Sequence, residues 1–453
     1  MFAAFRAEVA AARQYGDLYF ASLLSAEVIL SALGVASSLW QGWIYTPEVT
    51  IWVFLSQCLS ADHSCRDAVA RLAAWRVAQG LEACSADTGA YCTAREYLPE
   101  EVCKQLVRQT GQELEEQAPR GWLWHGRRVC VADGTTITMP DTPANQAEYP
   151  QQKNQTPGCG FPIARVLVVF SLAVGTVLEV AIRRYEGKLT GENSMLRTLH
   201  DSFAADDVVL ADRYFSGWFD LALLHQRGVD VVIRNHQLRA NDFRTGRRLG
   251  HDDHVVCWSK PDRPHWMSRE CYAALPNELA LREVRVRVRQ RGFRVKSLVV
   301  VTTLLDAEEF SADAIADLYR LRWQAELNLR SLKTVLTMDH LRCKTPHRVR
   351  NELYVHLLGY NLIRKAMALA ASEAGICPWQ VSFKGTLQTL NTFLPLLGSC
   401  MDIADGCEAL LECIATHIVG NRPDRYEPRV VKRPPKKYKR MREPRANYKR
   451  RAA

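Results

Sequence analysis

The chain lacks the sequence signatures of several common protein classes. Its 453 residues include 14 cysteines, but no two of them form a C-x-x-C pair, and their irregular spacing excludes a zinc ribbon. The opening residues, MFAAFRAEVAAARQYGD, show no secretory pattern, so we expect reduced thiols in a cytoplasmic protein rather than a disulfide scaffold. No internal repeat is present.

No apolar run is long and uniform enough to predict a membrane span. The run LLSAEVILSALGVASSLW contains Glu27 and predicts a buried amphipathic helix. The run VLVVFSLAVGTVLEVAI is interrupted by Gly175 and Glu179, and its valines predict two β-strands around a turn. We therefore expect no membrane partner.

Most of the chain has no excess of either charge. The net charge is +10, but residues 422 to 453 alone contain 14 Lys/Arg against 3 Asp/Glu, which leaves 45 basic and 46 acidic residues elsewhere. The tail is interrupted by prolines and poor in aliphatic residues, which predicts that it does not fold alone. Such a tail suits a polyanion, most often nucleic acid, although it could also serve solubility only.

Hydrophobic periodicity divides the chain into segments of different character. The order of three strands, a helix, a strand, a helix and a strand predicts an α/β protein with a mixed sheet flanked by helices. The predicted segments are a helical N-terminal region (1–120), the first part of the core (121–237), a β-rich insertion (238–294), the second part of the core (295–340), a helical C-terminal region (341–421) and the basic tail (422–453).

Three acidic residues occupy positions where a site could form. Asp133 lies in VCVADGTT, on or just after a predicted strand, and Asp212 lies in VVLADRYF, at the end of another. Glu326 lies on a predicted helix. Singly, each has a simpler explanation: a D-G turn, a helix cap, and a solvated charge pair. Together, three such carboxylates can hold two divalent cations about 3.5–4 Å apart for in-line attack at phosphorus, and hard oxygen ligands favour Mg²⁺.

The helix that carries Glu326 has an unusual polar face. In YRLRWQAELNLRSLK, which begins at Tyr319, a continuous α-helix would place Tyr319, Arg322, Glu326 and Lys333 in one stripe about 60° wide. A neighbouring apolar stripe would dock this helix on a core. The polar stripe would then lie at the edge of the core, where a cleft can form.

These motifs together resemble a known family. VADGTT, LADRYF and the spacing Y-x2-R-x3-E-x6-K are similar to those of the DDE transposases of bacterial insertion sequences, specifically the IS-four family with its Y-R-E-K signature. The resemblance implies an RNase H-like catalytic core interrupted by a β-rich insertion and preceded by a DNA-binding helical region. It also implies cut-and-paste DNA transposition at terminal inverted repeats.

The resemblance also implies roles for individual residues. Asp133, Asp212 and Glu326 would be the catalytic triad and would bind two Mg²⁺ ions, for which Mn²⁺ could substitute. The residues expected to contact DNA are Tyr319, Arg322, Lys333, Trp323 and Arg213. Trp258, Trp266 and Trp323 are candidates for an aromatic platform under an unstacked base, or simply for core packing, and helical geometry favours Trp323.

The implied partners are double-stranded DNA, both element ends and target, and a second copy of the chain in a synaptic complex. The implied location is the bacterial cytoplasm, at the nucleoid. Two alternatives stay open: a catalytically silent DNA-binding relative, and an RNase H-like endonuclease without strand transfer. The sequence HDDH, from His251, predicts a solvated turn more readily than a metal site.

Overall fold

The computed structural model describes residues 23–34, 42–287, 297–396, 403–419 and 441–452. The helices there are α1 (Ala26–Leu33), α2 (Pro47–Leu59), α3 (Cys65–Ala78), α4 (Gly89–Glu96), α5 (Glu100–Glu116), α6 (Pro143–Glu148), α7 (Glu192–Arg197), α8 (Trp218–Gln226), α9 (Arg269–Ala274), α10 (Ala312–Leu321), α11 (Trp323–Arg330), α12 (Pro346–Glu373), α13 (Phe383–Phe393), α14 (Ile403–Thr416) and α15 (Arg445–Ala452). The strands are β1 (Val129–Thr138), β2 (Ile163–Ser171), β3 (Val177–Arg184), β4 (Val208–Ala211), β5 (Asp230–Arg234), β6 (Arg247–Gly250), β7 (Asp253–Ser259), β8 (Glu278–Arg287) and β9 (Ser297–Thr302).

The strands form a mixed sheet in the order β3-β2-β1-β4-β5-β9-β8-β7-β6. Strands β1, β2 and β3 form an antiparallel meander, and β4 and β5 follow parallel to β1. This arrangement confirms the expected RNase H-like mixed sheet flanked by helices. The long valine-rich run indeed forms two strands, β2 and β3, and Gly175 turns between them with a φ of 75° that favours glycine.

The β-rich segment does not stand apart from the core sheet. Strand β8 pairs with β9, and β9 pairs with β5, so β6, β7 and β8 extend the same sheet beyond the core strands. The residues between β8 and β9, at 288–296, lie outside the described part. The prediction of a solvated turn at HDDH is wrong for two of its residues, since Asp253 and His254 are buried at the start of β7. Asp253 pairs with the fully buried Arg282, which offsets the cost of burial.

Alternation along the strands gives the sheet two apolar faces. On β1, Val129 and Val131 face one core, whereas Cys130 and Ala132 face the other. The first core also holds the N-terminal helices, α10, α11 and the 28-residue α12, whose middle is buried on all sides. The N- and C-terminal helical regions therefore share one continuous core. None of the helices in the described ranges has both the length and the apolar character that crossing a membrane requires.

The C-terminal tail and the Y-R-E-K helix both differ in detail from the sequence prediction. The tail was predicted not to fold alone. Among its described residues, Arg445–Ala452 form the helix α15, which contains good helix formers, and Arg451 pairs with Glu443 just before the helix. Residues 420–440 of the tail lie outside the described part. The Y-R-E-K helix is not continuous: it is interrupted at Arg322, and Lys333 lies in a π-helical turn from Ser331 to Val335.

Candidate active site

Two of the three predicted acids meet at one edge of the sheet. In the parallel register between β1 and β4, Val131 lies opposite Leu210. Asp133 and Asp212 each follow two residues later, so they reach the same level. Asp133 lies in the middle of β1, which continues to Thr138, and Asp212 directly follows β4. Because side chains alternate along a strand, Asp133 lies on the same face of the sheet as Val131, and Asp212 on the same face as Leu210. That face is the one covered by α10 and α11.

The third acid comes from the helix that covers this face. Helix α11 packs on β1 through the fully buried Ala325, the residue before Glu326. The Asp133 carboxyl shows that the three acids are close. Burial raises the pKa of Asp133 from 3.8 to about 6; Arg322 and the Gly134 N–H oppose this, and the Glu326 and Asp212 charges add to it.

Each carboxylate is held by a local contact. Asp133 accepts a hydrogen bond from the Gly134 N–H at 3.0 Å. Asp212 accepts one from the Tyr214 N–H at 2.8 Å and so caps a short 3₁₀ turn, which combines the capping and functional interpretations of this residue. Glu326 accepts a hydrogen bond from Arg322 at 2.5 Å between Nη2 and Oε1.

The Arg322 guanidinium lies close to two of the three acids. It bonds Glu326 directly and lies near enough to Asp133 to lower the pKa of that carboxyl. The mostly buried Tyr319 lies beside Arg322, and burial raises the pKa of its phenol. Arg322 therefore neutralises part of the negative charge that three neighbouring carboxylates would otherwise leave unbalanced.

The other predicted DNA-binding residues differ in exposure. Trp323, next to Arg322, is 52% exposed, which is unusual for a tryptophan. Arg213 donates to Gln237 at 2.6 Å beside Asp212, and Lys333 is half-buried in the π-helical turn. The two other tryptophans of the platform hypothesis differ from Trp323, since Trp258 is buried in the second core and Trp266 lies under Arg197.

Sequence reasoning missed a fourth carboxylate. Glu192, at the start of α7, approaches from the opposite face of the sheet and bonds Arg165 at 3.1 Å. A Cβ on Gly134 would lie 2.4 Å from the Glu192 carboxyl carbon, so only glycine after Asp133 allows this approach. Burial raises the pKa of Glu192, and the Asp212 charge contributes. No local pattern in TGENS could have shown this, because the contact joins residues 58 positions apart in sequence.

The three carboxylates have the chemistry to bind a divalent cation, but their present arrangement does not form a complete metal site. Within the described residues, no three His, Cys, Asp or Glu side chains stand close enough to share one metal ion. Glu326 forms an ion pair with Arg322 instead. The donor set of three carboxylates is nevertheless right for a hard cation.

Comparisons with known proteins agree with this chemistry. Residues 124–362, which contain all three acids, match the family model of the transposase DDE domain. The chain is 26% identical over 358 residues to the transposase InsG of insertion sequence element IS4 from Escherichia coli strain K12, which covers 76% of each chain.

Two further similarities are shorter or more distant. Over 65 residues the chain is 43% identical to the transposase of insertion sequence element IS421 from Escherichia coli, a stretch that covers 14% of this chain and 18% of that protein. Among solved structures, the piggyBac transposase in a synaptic complex with hairpin DNA has a TM-score of 0.42 at 10% identity. It covers 89% of this chain and 86% of that one.

Proposed function

Because this chain belongs to the transposases with a DDE domain, enzymes that cleave DNA and transfer its strands, we propose that it mobilises an insertion sequence. It binds the terminal inverted repeats, cuts the element free and joins the 3′ ends to target DNA. The observation that supports this most is the convergence of Asp133, Asp212 and Glu326 at one edge of the sheet, with Arg322 among them.

The family depends on divalent metal ions, and Asp133, Asp212 and Glu326 are the residues that would hold them. We propose two Mg²⁺ ions, which supply an activated water or 3′-hydroxyl and stabilise the leaving oxygen. Glu326 must release Arg322 to join the other two acids. Arg322 is then free to pair with a phosphate oxygen, for which its planar guanidinium is well suited.

The remaining residues position the DNA. Tyr319 supports the Arg322 guanidinium from the protein side, because its phenol is buried beside it. Lys333 and Arg213 bind phosphates on either side of the scissile bond. Trp323 is exposed next to Arg322 and can stack on a base that leaves the duplex.

The geometry of transposition also implies an assembly. Two element ends must be held together for joining, so we propose a homodimer in a synaptic complex on double-stranded DNA, in the bacterial cytoplasm. The N-terminal helical region over 1–120 contacts the repeats, and the core divides at 121–237, 238–294 and 295–340. The C-terminal helices over 341–421 support the sheet, and the tail over 422–453 adds non-specific DNA affinity.

The experiment that tests this function uses the purified full-length chain, Mg²⁺ and duplex DNA taken from both sides of its own reading frame. Glu326→Gln is compared with Asp317→Asn, an exposed acid one helix earlier that pairs only with Arg320 in the described structure. Cleavage and joining by the wild type and Asp317→Asn, but not by Glu326→Gln, are expected. Cleavage without joining would indicate an endonuclease, and binding without cleavage a silent relative.

A further inference from the structure

A large basic groove lies outside the acidic site, along the free edge of strand β3. Its cavity volume is about 1190 Å³, and it lies between β3, α5, α7 and the start of α12. Eight Lys/Arg and three Glu line it. We call this cavity the β3 groove; six of its cations are Lys104, Arg108, Lys153, Arg183, Arg184 and Lys188.

Some of the positive charge in the groove is already neutralised and some is not. Arg108 pairs with Glu179, and Arg350 pairs with Glu100. Lys153, Arg183, Arg184 and Lys188 are exposed, and within the described chain none of these four side chains forms an ion pair. The groove therefore presents uncompensated positive charge to solvent, which attracts an anion.

The β3 groove begins next to the acidic site. Helix α7 separates the two: its Glu192 lies against Gly134, beside Asp133, whereas its Ser194 and Arg197 line the groove. DNA that leaves the acids on the α7 side would therefore run toward the β3 groove. Duplex DNA carries about one negative charge per 1.7 Å of its axis, so even a short length along β3 can pair with several cations.

We propose that the β3 groove binds the phosphodiester backbone of duplex DNA outside the cleavage site. The proposal rests on the proposed function for its substrate, but it concerns a separate surface. The groove reads no sequence, since its free cations are point charges and guanidinium groups suited to phosphates. The DNA segment it holds is the one that continues past α7 after passing the acids.

A second copy of the chain is the other occupant to consider, since β3 has a free edge. Exposed edge strands pair readily with other strands, but charged side chains on the edge oppose this. Arg183 and Arg184 are consecutive and exposed at the end of β3, so they are edge charges of the kind that oppose strand pairing. Charge complementarity thus favours DNA.

The test compares two pairs of neutralised arginines at opposite edges of the same sheet. Arg183→Gln with Arg184→Gln removes charge from the β3 groove. Arg247→Gln with Arg248→Gln, on the exposed outer strand β6, removes the same charge elsewhere. Fluorescence anisotropy with a labelled 40-base-pair duplex, between 50 and 300 mM KCl, gives the dependence of log K on log[salt] for each full-length protein.

The groove variant should bind more weakly, and the slope should become shallower by about 1.8, since each lost phosphate contact contributes about 0.9. The β6 variant should keep the wild-type slope. Equal slopes for all three proteins, or equal losses in both variants, would refute the groove as a DNA site. So would a groove variant with an unchanged slope but an altered mass in sedimentation velocity, which would indicate a protein interface.

The proposed function is tested separately by cleavage with the element ends. A wild-type protein that fails to cleave but shows the groove-dependent salt slope would contradict transposition and still support DNA binding by the β3 groove. A wild-type protein that cleaves and joins DNA, with identical salt slopes in all variants, would support transposition and refute the β3 groove as a DNA site. Thermal melts of both variants check that neither substitution unfolds the chain.

Discussion

Replacing Asp133 by Asn should stabilise the protein while removing its activity. Burial and the nearby carboxylates raise the pKa of Asp133 from 3.8 to about 6. A raised carboxyl pKa means that the ionised form is disfavoured in the folded state, so the penalty is present above pH 6 and absent below pH 4. At 1.36 kcal/mol per pH unit, this difference corresponds to about 3 kcal/mol, an upper limit for a partly buried group.

The assay is thermal unfolding in EDTA at pH 8 and pH 4 for the wild type and Asp133→Asn. The Asn Oδ1 can still accept from the Gly134 N–H, and its amide can donate to a neighbouring carboxylate. We expect the variant to melt several degrees higher at pH 8 and near the wild type at pH 4. Millimolar Mg²⁺ or Mn²⁺ should stabilise the wild type and so reduce the difference in melting temperature between the two proteins.

The same change at an acid without such neighbours provides the control. Asp317→Asn alters an exposed residue that pairs with Arg320, so it should change the melting temperature little at either pH. A variant at Asp133 that melts no higher than the wild type at pH 8 would refute the electrostatic reasoning. A gain of equal size at both pH values would refute it as well, because the ionisation of the buried Asp133 carboxyl would then not be the cause.

Two other predictions concern parts of the chain outside the acidic site. Asn361→Ala on α12 should lower the free energy of unfolding by about 2–4 kcal/mol, because it removes buried bonds to Val107 and Val177, including the one from the Val177 N–H at 2.7 Å; an unchanged urea midpoint would contradict this. Deletion of residues 422–453 should weaken binding to duplex DNA and flatten its salt dependence, since it removes 14 basic residues. An unchanged slope after the deletion would exclude the tail from DNA binding.

Much of the core could be predicted because the signals are local. Valine-rich runs predict strands, so Asp133 could be placed on or just after one strand and Asp212 at the end of another. The turn considered at Asp133 does not form, since β1 continues past this residue to Thr138. The apolar stripe of the Glu326 helix is buried as its spacing predicts, with Leu318, Ala325 and Leu332 inside. Short-range periodicity is visible in a single sequence.

Other predictions failed where tertiary contacts outweigh local preference. The helix from Tyr319 to Lys333 is broken at Arg322 and again at Ser331, so an ideal 100° rotation could not place Lys333. The hydrophilic HDDH segment begins a buried strand, because Arg282 on β8 supplies the charge that Asp253 needs. The burial of HDDH depends on a partner on another strand.

The sequence by itself determined which acids lie on or directly after strands and which face of the Glu326 helix is apolar, because period and composition are properties of neighbouring residues. Only the tertiary structure decided three further features of the site. It brought Glu192 against Gly134, it placed the Arg322 guanidinium near Asp133, and it gathered the free cations of the β3 groove beside α7. These features depend on how the sheet and helices pack, since they join residues that no short pattern connects.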